Sequence, residues 1–90
     1  MQKIYPAIFT HEDDDQYTVY FPDLQGCETY GENVEHATLM AIEALELYIE
    51  ALINHNMPIP IASSIEKINK TLEGNEFTSF IVATLKENTK

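Results

Sequence analysis

The sequence contains no arginine and only five lysines, set against fifteen acidic residues. The formal net charge is −10 at pH 7, so the summed field of the protein repels phosphate backbones and attracts cationic molecules. RNA and DNA binding depend on patches of lysine or arginine, which this composition does not supply. The charge balance therefore disfavours direct contact with nucleic acid and favours a basic protein as the partner.

Cysteine and long apolar runs are also scarce. Cys27 is the only cysteine, which excludes an internal disulfide, and we interpret it as a reduced, buried thiol in a cytoplasmic protein. The N-terminal segment lacks the apolar core of a signal peptide, and no apolar run approaches the roughly 20 residues that a membrane span needs. The sequence predicts a soluble protein without membrane contact, folded as one domain over residues 1–90.

Residues 17–31 carry the most information, because they predict two short strands joined by a bend. Large side chains alternate with other residues along the first strand, at Tyr17, Val19 and Phe21. Pro22 cannot donate to a sheet ladder, so regular pairing is expected to end near it. Gly26 can adopt the positive φ that a tight turn demands.

Periodicity and turn residues predict the other elements. Strands are expected at residues 4–10, 17–21, 28–31 and 77–85, a long helix from residue 34 to about residue 55, and a short helix at residues 65–72. Asn33 is the expected N-cap of the long helix, and Asn56 can take the left-handed conformation at its end. Ser63 or Ser64 is the expected cap of the short helix. The predicted fold class is α+β, an antiparallel βββα(α)β sheet with one long helix packed on one face.

Pro6 falls inside the first predicted strand. It indicates that this strand lies at an edge of the sheet or that the missing N–H points away from a neighbouring strand. Edges at residues 4–10 or 28–31 would offer unpaired backbone groups to a second copy. A homo-oligomer, formed through such an edge or through the flank of the helix, is therefore expected.

Four segments of the chain resemble the HicB family of antitoxins. They are YPAIF at residues 5–9, FPDLQGCETYG at residues 21–31, EALELYIEALI at residues 43–53 and PIPIAS at residues 58–63. The resemblance implies a partial ribonuclease-H-like fold, no cofactor, and neutralisation of a small basic mRNA interferase called HicA. Many members carry a ribbon-helix-helix or helix-turn-helix DNA-binding segment after this domain, and none is apparent in this sequence.

Residue types that could support catalysis or metal binding occur without the spacing that either requires. Consecutive carboxylates at residues 12–15 suit a solvated turn better than a cation site. The carboxylates of Asp23 and Glu28 flank the bend, yet nothing in the sequence places them beside a substrate. The three histidines lack the spacing of a metal motif. We predict no catalytic, cofactor-binding or metal-binding residue.

The outward part of the bend is the expected contact surface for a protein partner. Exposed loops held by a rigid sheet can reach a partner, and tyrosine is enriched at interfaces. The predicted partner-binding residues are Tyr20, Asp23, Glu28 and Tyr30. The alternative function is a stand-alone RNA-associated or ligand-binding domain of HicB-like fold, and a weaker third is a degenerate nuclease.

Overall fold

The structure, a computed structural model, describes residues 1–85 and contains a four-stranded antiparallel sheet with two helices. The elements are β1 (Gln2–His11), β2 (Tyr17–Tyr20), β3 (Glu28–Gly31), α1 (Val34–Asn54), α2 (Ile65–Asn69) and β4 (Glu76–Thr84). The strand order is β3-β2-β1-β4, and every neighbouring pair is antiparallel. The predicted α+β arrangement is confirmed, although β1 is longer and α2 shorter than the sequence indicated.

Helix α1 begins and ends at the residues that the sequence predicts. The Asn33 side chain accepts a hydrogen bond from the His36 N–H at 2.8 Å, which satisfies one free donor of the first turn. After the last turn, Asn56 adopts the left-handed conformation with φ of 55°. Pro58 then prevents a further turn. The position of α1 along the chain is thus set by local side-chain chemistry.

One face of the sheet, here called the inner face, packs against α1. The helix contributes Ala37, Ala41, Leu45 and Ile49, all completely buried. The strands contribute Tyr5, Ala7, Phe9, Val19, Ile81 and Ala83, and the bend contributes Phe21, Leu24 and Cys27. Since α1 presents small side chains near its N-terminus, its axis lies close to the sheet there. The resulting core holds β2, β3 and the bend in fixed positions.

The expectation of an edge strand at residues 4–10 is wrong, because β1 lies inside the sheet between β2 and β4. Pairing with β2 starts at Ile8, opposite Tyr20, so the first half of β1 has β4 as its only strand neighbour within residues 1–85. The His11 N–H donates to the carbonyl of Asn75, which directly precedes β4. Because donor direction alternates along a strand, the N–H groups of all odd-numbered β1 residues point toward β4. Pro6 is even-numbered, so its missing donor points away from β4, which agrees with the second interpretation of this proline.

Helix α2 lies on the opposite side of the sheet, here called the outer face. Thr78 faces outward, and its hydroxyl donates to the Asn69 side-chain oxygen at 2.8 Å. The outward Ile8 is only 2% exposed and Ile68 of α2 only 6%, while neither belongs to the core around α1. The short helix therefore covers the outer face around Ile8 and Thr78, and leaves the β2–β3 half open.

A groove on the outer face of the sheet

Three of the four predicted contact residues come together on the open half of the outer face. Tyr20 lies opposite Glu28, and Thr18 lies opposite Tyr30, in the β2–β3 pair. These four side chains share one face because alternate residues of a strand point the same way. Tyr20 is 40% exposed and Tyr30 is 61% exposed, so both rings are available to a partner.

The side chains border a broad groove with a volume of about 710 Å³. Its lining comes from β1, β2, β3 and the β1–β2 turn, and includes Thr10, Gln16, Thr18, Tyr20, Glu28 and Tyr30. A smaller hollow of about 360 Å³ lies beside it at the bend, and Tyr20 and Glu28 line both. The two concavities therefore form one continuous surface with Tyr20 and Glu28 at the boundary.

Carboxylates surround the groove. The Thr18 hydroxyl donates to the Glu12 carboxylate at 2.7 Å, and the Thr10 hydroxyl donates to the Glu76 carboxylate at 3.1 Å. Glu28 supplies a third carboxylate from the β3 side. Within residues 1–85, none of these three groups forms an ion pair with a lysine. The groove consequently combines exposed aromatic rings with uncompensated negative charge.

Asp23 does not belong to this surface. Its carboxylate accepts hydrogen bonds from the Ser63 N–H at 2.8 Å and from the Ser63 hydroxyl at 2.5 Å. Together with burial, which is the larger cause, its charge raises the pKa of Tyr5. The Tyr5 hydroxyl in turn donates to the Pro60 carbonyl at 2.5 Å. Asp23 thus fastens the segment between α1 and α2, and sequence reasoning missed this because its partner lies 40 residues away.

Three internal hydrogen bonds and one helix contact hold the bend in shape. The Phe21 N–H donates to the Cys27 carbonyl at 3.1 Å, and the Cys27 N–H donates to the Leu24 carbonyl at 3.0 Å. The Leu24 N–H donates back to the Phe21 carbonyl at 3.0 Å. Gly26 has φ of 81°, as the sequence predicts. Tyr48 of α1 is partly buried, and its hydroxyl donates to the Gln25 carbonyl at 2.9 Å, so the helix fixes the tip of the bend.

The Cys27 thiol is buried beneath the bend, so its reactivity should depend strongly on pH. Burial, reinforced by the nearby Glu28 charge, raises its pKa to about 11. The thiolate is the reactive form, so alkylation of the folded protein should be slow at pH 8 and accelerate as the pH approaches 11. Because the neutral thiol is favoured in the folded state, its contribution to stability is present below the unfolded pKa near 9.0 and declines between pH 9 and 11.

The measurement is the rate of iodoacetamide labelling against pH, followed by mass spectrometry, for native and urea-unfolded protein. The native curve should lie at higher pH than the unfolded curve. Cys27→Ala is the control for stability. Between pH 9 and 11, its free energy of unfolding should decline less than that of the wild type, because the variant has no thiol to titrate. Equal labelling curves for the two states would contradict the burial of this thiol.

The remaining histidine and carboxylate side chains do not gather into a metal site in the described part of the chain. Within residues 1–85, no three side chains of histidine, cysteine, aspartate or glutamate gather where a metal ion could bind. In the turn at residues 12–15, Asp15 instead contacts the His11 ring at 3.1 Å. Asp14 accepts a hydrogen bond from the Gln16 N–H at 3.3 Å, which is ordinary turn chemistry. Neither helix of the described part has the length and hydropathy of a bilayer-spanning segment.

Comparison with known proteins supplies relatives that share this fold and sequence. Residues 5–88 match the family model described as the HicB-like antitoxin of bacterial toxin-antitoxin systems. The UPF0150 protein ssr1765 of Synechocystis is 38% identical over 63 residues, which covers 70% of this chain and 80% of that protein. The match therefore extends over most of both sequences.

Solved structures of toxin-antitoxin complexes contain chains with the same fold. A chain of the toxin-antitoxin complex from Streptococcus pneumoniae superposes with a TM-score of 0.79 at 26% identity, covering 93% of this chain and 70% of that one. A chain of the HicA3 and HicB3 toxin-antitoxin complex superposes with a TM-score of 0.71 at 25% identity, covering 94% of this chain and 100% of that one. On the family match, the sequence relative and the shared fold, the chain belongs to the HicB-like antitoxin family of bacterial toxin-antitoxin systems.

Proposed function

We propose that this chain neutralises a small, basic, HicA-like mRNA interferase by binding it, with no chemistry of its own. The observation that carries the proposal is the outer-face groove, where exposed Tyr20 and Tyr30 lie beside carboxylates that form no ion pair with a lysine within residues 1–85. The family match and the two toxin-antitoxin complexes among the similar structures support a toxin as the partner.

The physical basis is competition with RNA. An enzyme that cleaves RNA must attract a phosphate backbone, so the approach to its active site is cationic. Carboxylates around the groove would occupy that cationic surface, while the tyrosine rings supply large, rigid contact area. A net charge of −10 raises the rate of encounter with a basic toxin before any specific contact forms. Stoichiometric occlusion then needs no catalytic group on the antitoxin.

The alternative function is a stand-alone RNA-associated or ligand-binding domain. The volume of the groove, about 710 Å³, falls in the range of small-molecule sites, which favours the ligand-binding form of this alternative. Its RNA-binding form requires cationic side chains, whereas Glu12, Glu28 and Glu76 surround the groove. Electrostatics thus favour the toxin over RNA.

The test uses the tagged 90-residue chain to capture partners from an extract of its source organism, followed by an RNA-cleavage assay on the captured protein. We expect a small basic protein in equal stoichiometry, whose cleavage of RNA stops when one equivalent of the chain is added. Recovery of RNA without such a protein would support the alternative. Metal-dependent cleavage by the purified chain alone would overturn the proposal.

Two further features accompany this proposal. The protein acts in the cytoplasm, where its buried Cys27 stays reduced. It also self-associates, and the strands available for pairing are the two sheet edges, β3 and β4, rather than β1. The choice between these edges follows from the backbone of β4.

A further inference from the structure

Strand β4 directs a row of backbone groups toward the free edge of the sheet. The Leu85 N–H donates to the Met1 carbonyl at 2.8 Å, so odd-numbered residues face β1. The Thr84 N–H points the other way and donates to the Glu46 carboxylate at 3.3 Å. Because donor direction alternates along an antiparallel strand, the N–H and C=O groups of Val82, Phe80 and Thr78 also face outward.

Both ends of this row already have partners. Thr84 is capped by Glu46, and the Glu76 N–H donates to the Glu73 carbonyl at 3.1 Å. Between them, the outward groups of Thr78, Phe80 and Val82 meet no strand within residues 1–85. The open stretch is centred on Phe80, with one capped residue four positions away on each side. Such an edge is complementary to itself under a two-fold rotation.

The side chains of the edge suit a second copy of the same protein. Glu76 is the only charged residue of β4. The strand contains no lysine or proline, the residues that commonly prevent edge strands from pairing with another chain. On the outer face Phe80 is 54% exposed and Val82 is 39% exposed, and Ile4, paired with Val82, is 51% exposed. In a chain with a net charge of −10, this uncharged strip is a surface where another copy meets little repulsion.

We propose that β4 pairs antiparallel with β4 of a second copy, with Phe80 opposite Phe80 and Thr78 opposite Val82. Each of these residue pairs exchanges two N–H···O bonds, and the two sheets become one continuous eight-stranded sheet. The Phe80 rings of the two copies lie side by side on the outer face, where cross-strand aromatic pairs stabilise a sheet. This interface is separate from the groove on β2 and β3, and it does not depend on toxin binding.

The first test measures the mass of the 90-residue chain in solution by light scattering. Wild-type protein should have twice the chain mass of 10.3 kDa, and Phe80→Lys should have the single-chain mass. F80E should also be monomeric, while an equimolar mixture of the F80K and F80E chains should recover the dimer, because the opposite charges face each other only in this register. Leu39→Lys, on the exposed side of α1, serves as the matched control and should remain dimeric.

The second test examines register by oxidative cross-linking. Residues opposite each other in a hydrogen-bonded pair have Cα atoms about 5.5 Å apart, within reach of a disulfide. Phe80→Cys should therefore link to itself, Val82→Cys alone should not, and V82C mixed with T78C should. A monomeric wild type, a dimeric F80K chain or equal self-linking of F80C and V82C would each overturn the inference. Circular dichroism of every variant separates loss of pairing from loss of folding.

Discussion

Replacing Gly31 by alanine is expected to lower the free energy of unfolding by about 3 kcal/mol or more, because β3 meets the first turn of α1 at this residue. A Cβ atom at Gly31 would lie 2.3 Å from the Ala37 nitrogen and 2.5 Å from the Ala37 Cα. Both are backbone atoms of a helix held by the core, so neither can move away cheaply. In a domain of this size, 3 kcal/mol corresponds to a fall in Tm of roughly 12–24 °C.

The other two glycines provide matched controls, since alanine at either position meets no atom within 4 Å. Gly26→Ala places a side chain at φ of 81° and should cost about 1 kcal/mol through backbone strain alone. Gly74→Ala has neither strain nor collision and should change stability by less than about 1 kcal/mol. Urea unfolding of the three variants measures the order. A loss for Gly31→Ala no larger than that for Gly26→Ala would contradict the close approach of β3 to α1.

Replacing Glu28 by lysine is expected to weaken binding of the captured toxin about 30-fold, a loss of about 2 kcal/mol. Glu28 lies opposite Tyr20 at the boundary of the groove and the bend hollow, so the change places a cation where a basic partner would dock. Its side chain is exposed and makes no described hydrogen bond, so folding should be unaffected. Calorimetry or surface plasmon resonance at two salt concentrations measures the effect, which should shrink as salt increases.

Glu43→Lys is the matched control for this change. Glu43 is exposed on α1, away from the outer face, and either substitution changes the net charge from −10 to −8, since one negative charge is removed and one positive charge is added. If binding depended only on net charge, both substitutions would lower the affinity for the toxin equally. Equal affinity of the two variants for the toxin would remove the groove as the docking surface, while leaving the β4 pairing untouched.

Local chemistry allowed most of the elements to be predicted from the sequence. The N-cap at Asn33, the left-handed residues at Gly26 and Asn56, and the alternation along residues 17–21 depend on near neighbours, and all are confirmed. Ser64 caps α2, as one of the two predicted choices. The predicted edge position of residues 4–10 was wrong. Pro6 indicates only that one side of the strand lacks a hydrogen-bond donor, and the neighbouring strand β4 lies 66 or more residues away in the sequence.

The shared location of three of the four predicted contact residues also follows from local sequence pattern, whereas their role in binding stays a prediction. Tyr20, Glu28 and Tyr30 fall on alternate positions of two adjacent strands, so a strand pattern is enough to place them on one face. Asp23 also lies in the bend, but its direction is set by Ser63, and no local signal contains that pairing. Likewise, the requirement for glycine at position 31 comes from the backbone of α1 rather than from a turn.

The sequence by itself determined the acidic charge, the order of strands and helices, and the residues that begin and end α1, because these depend on composition and on interactions between near neighbours. Only the tertiary structure decided that α2 crosses to the outer face, that Asp23 fastens the connecting segment, and that β4 rather than β1 forms a free edge. Those features arise from contacts between residues far apart in the chain. Such contacts leave no periodic signature, so packing alone selects them.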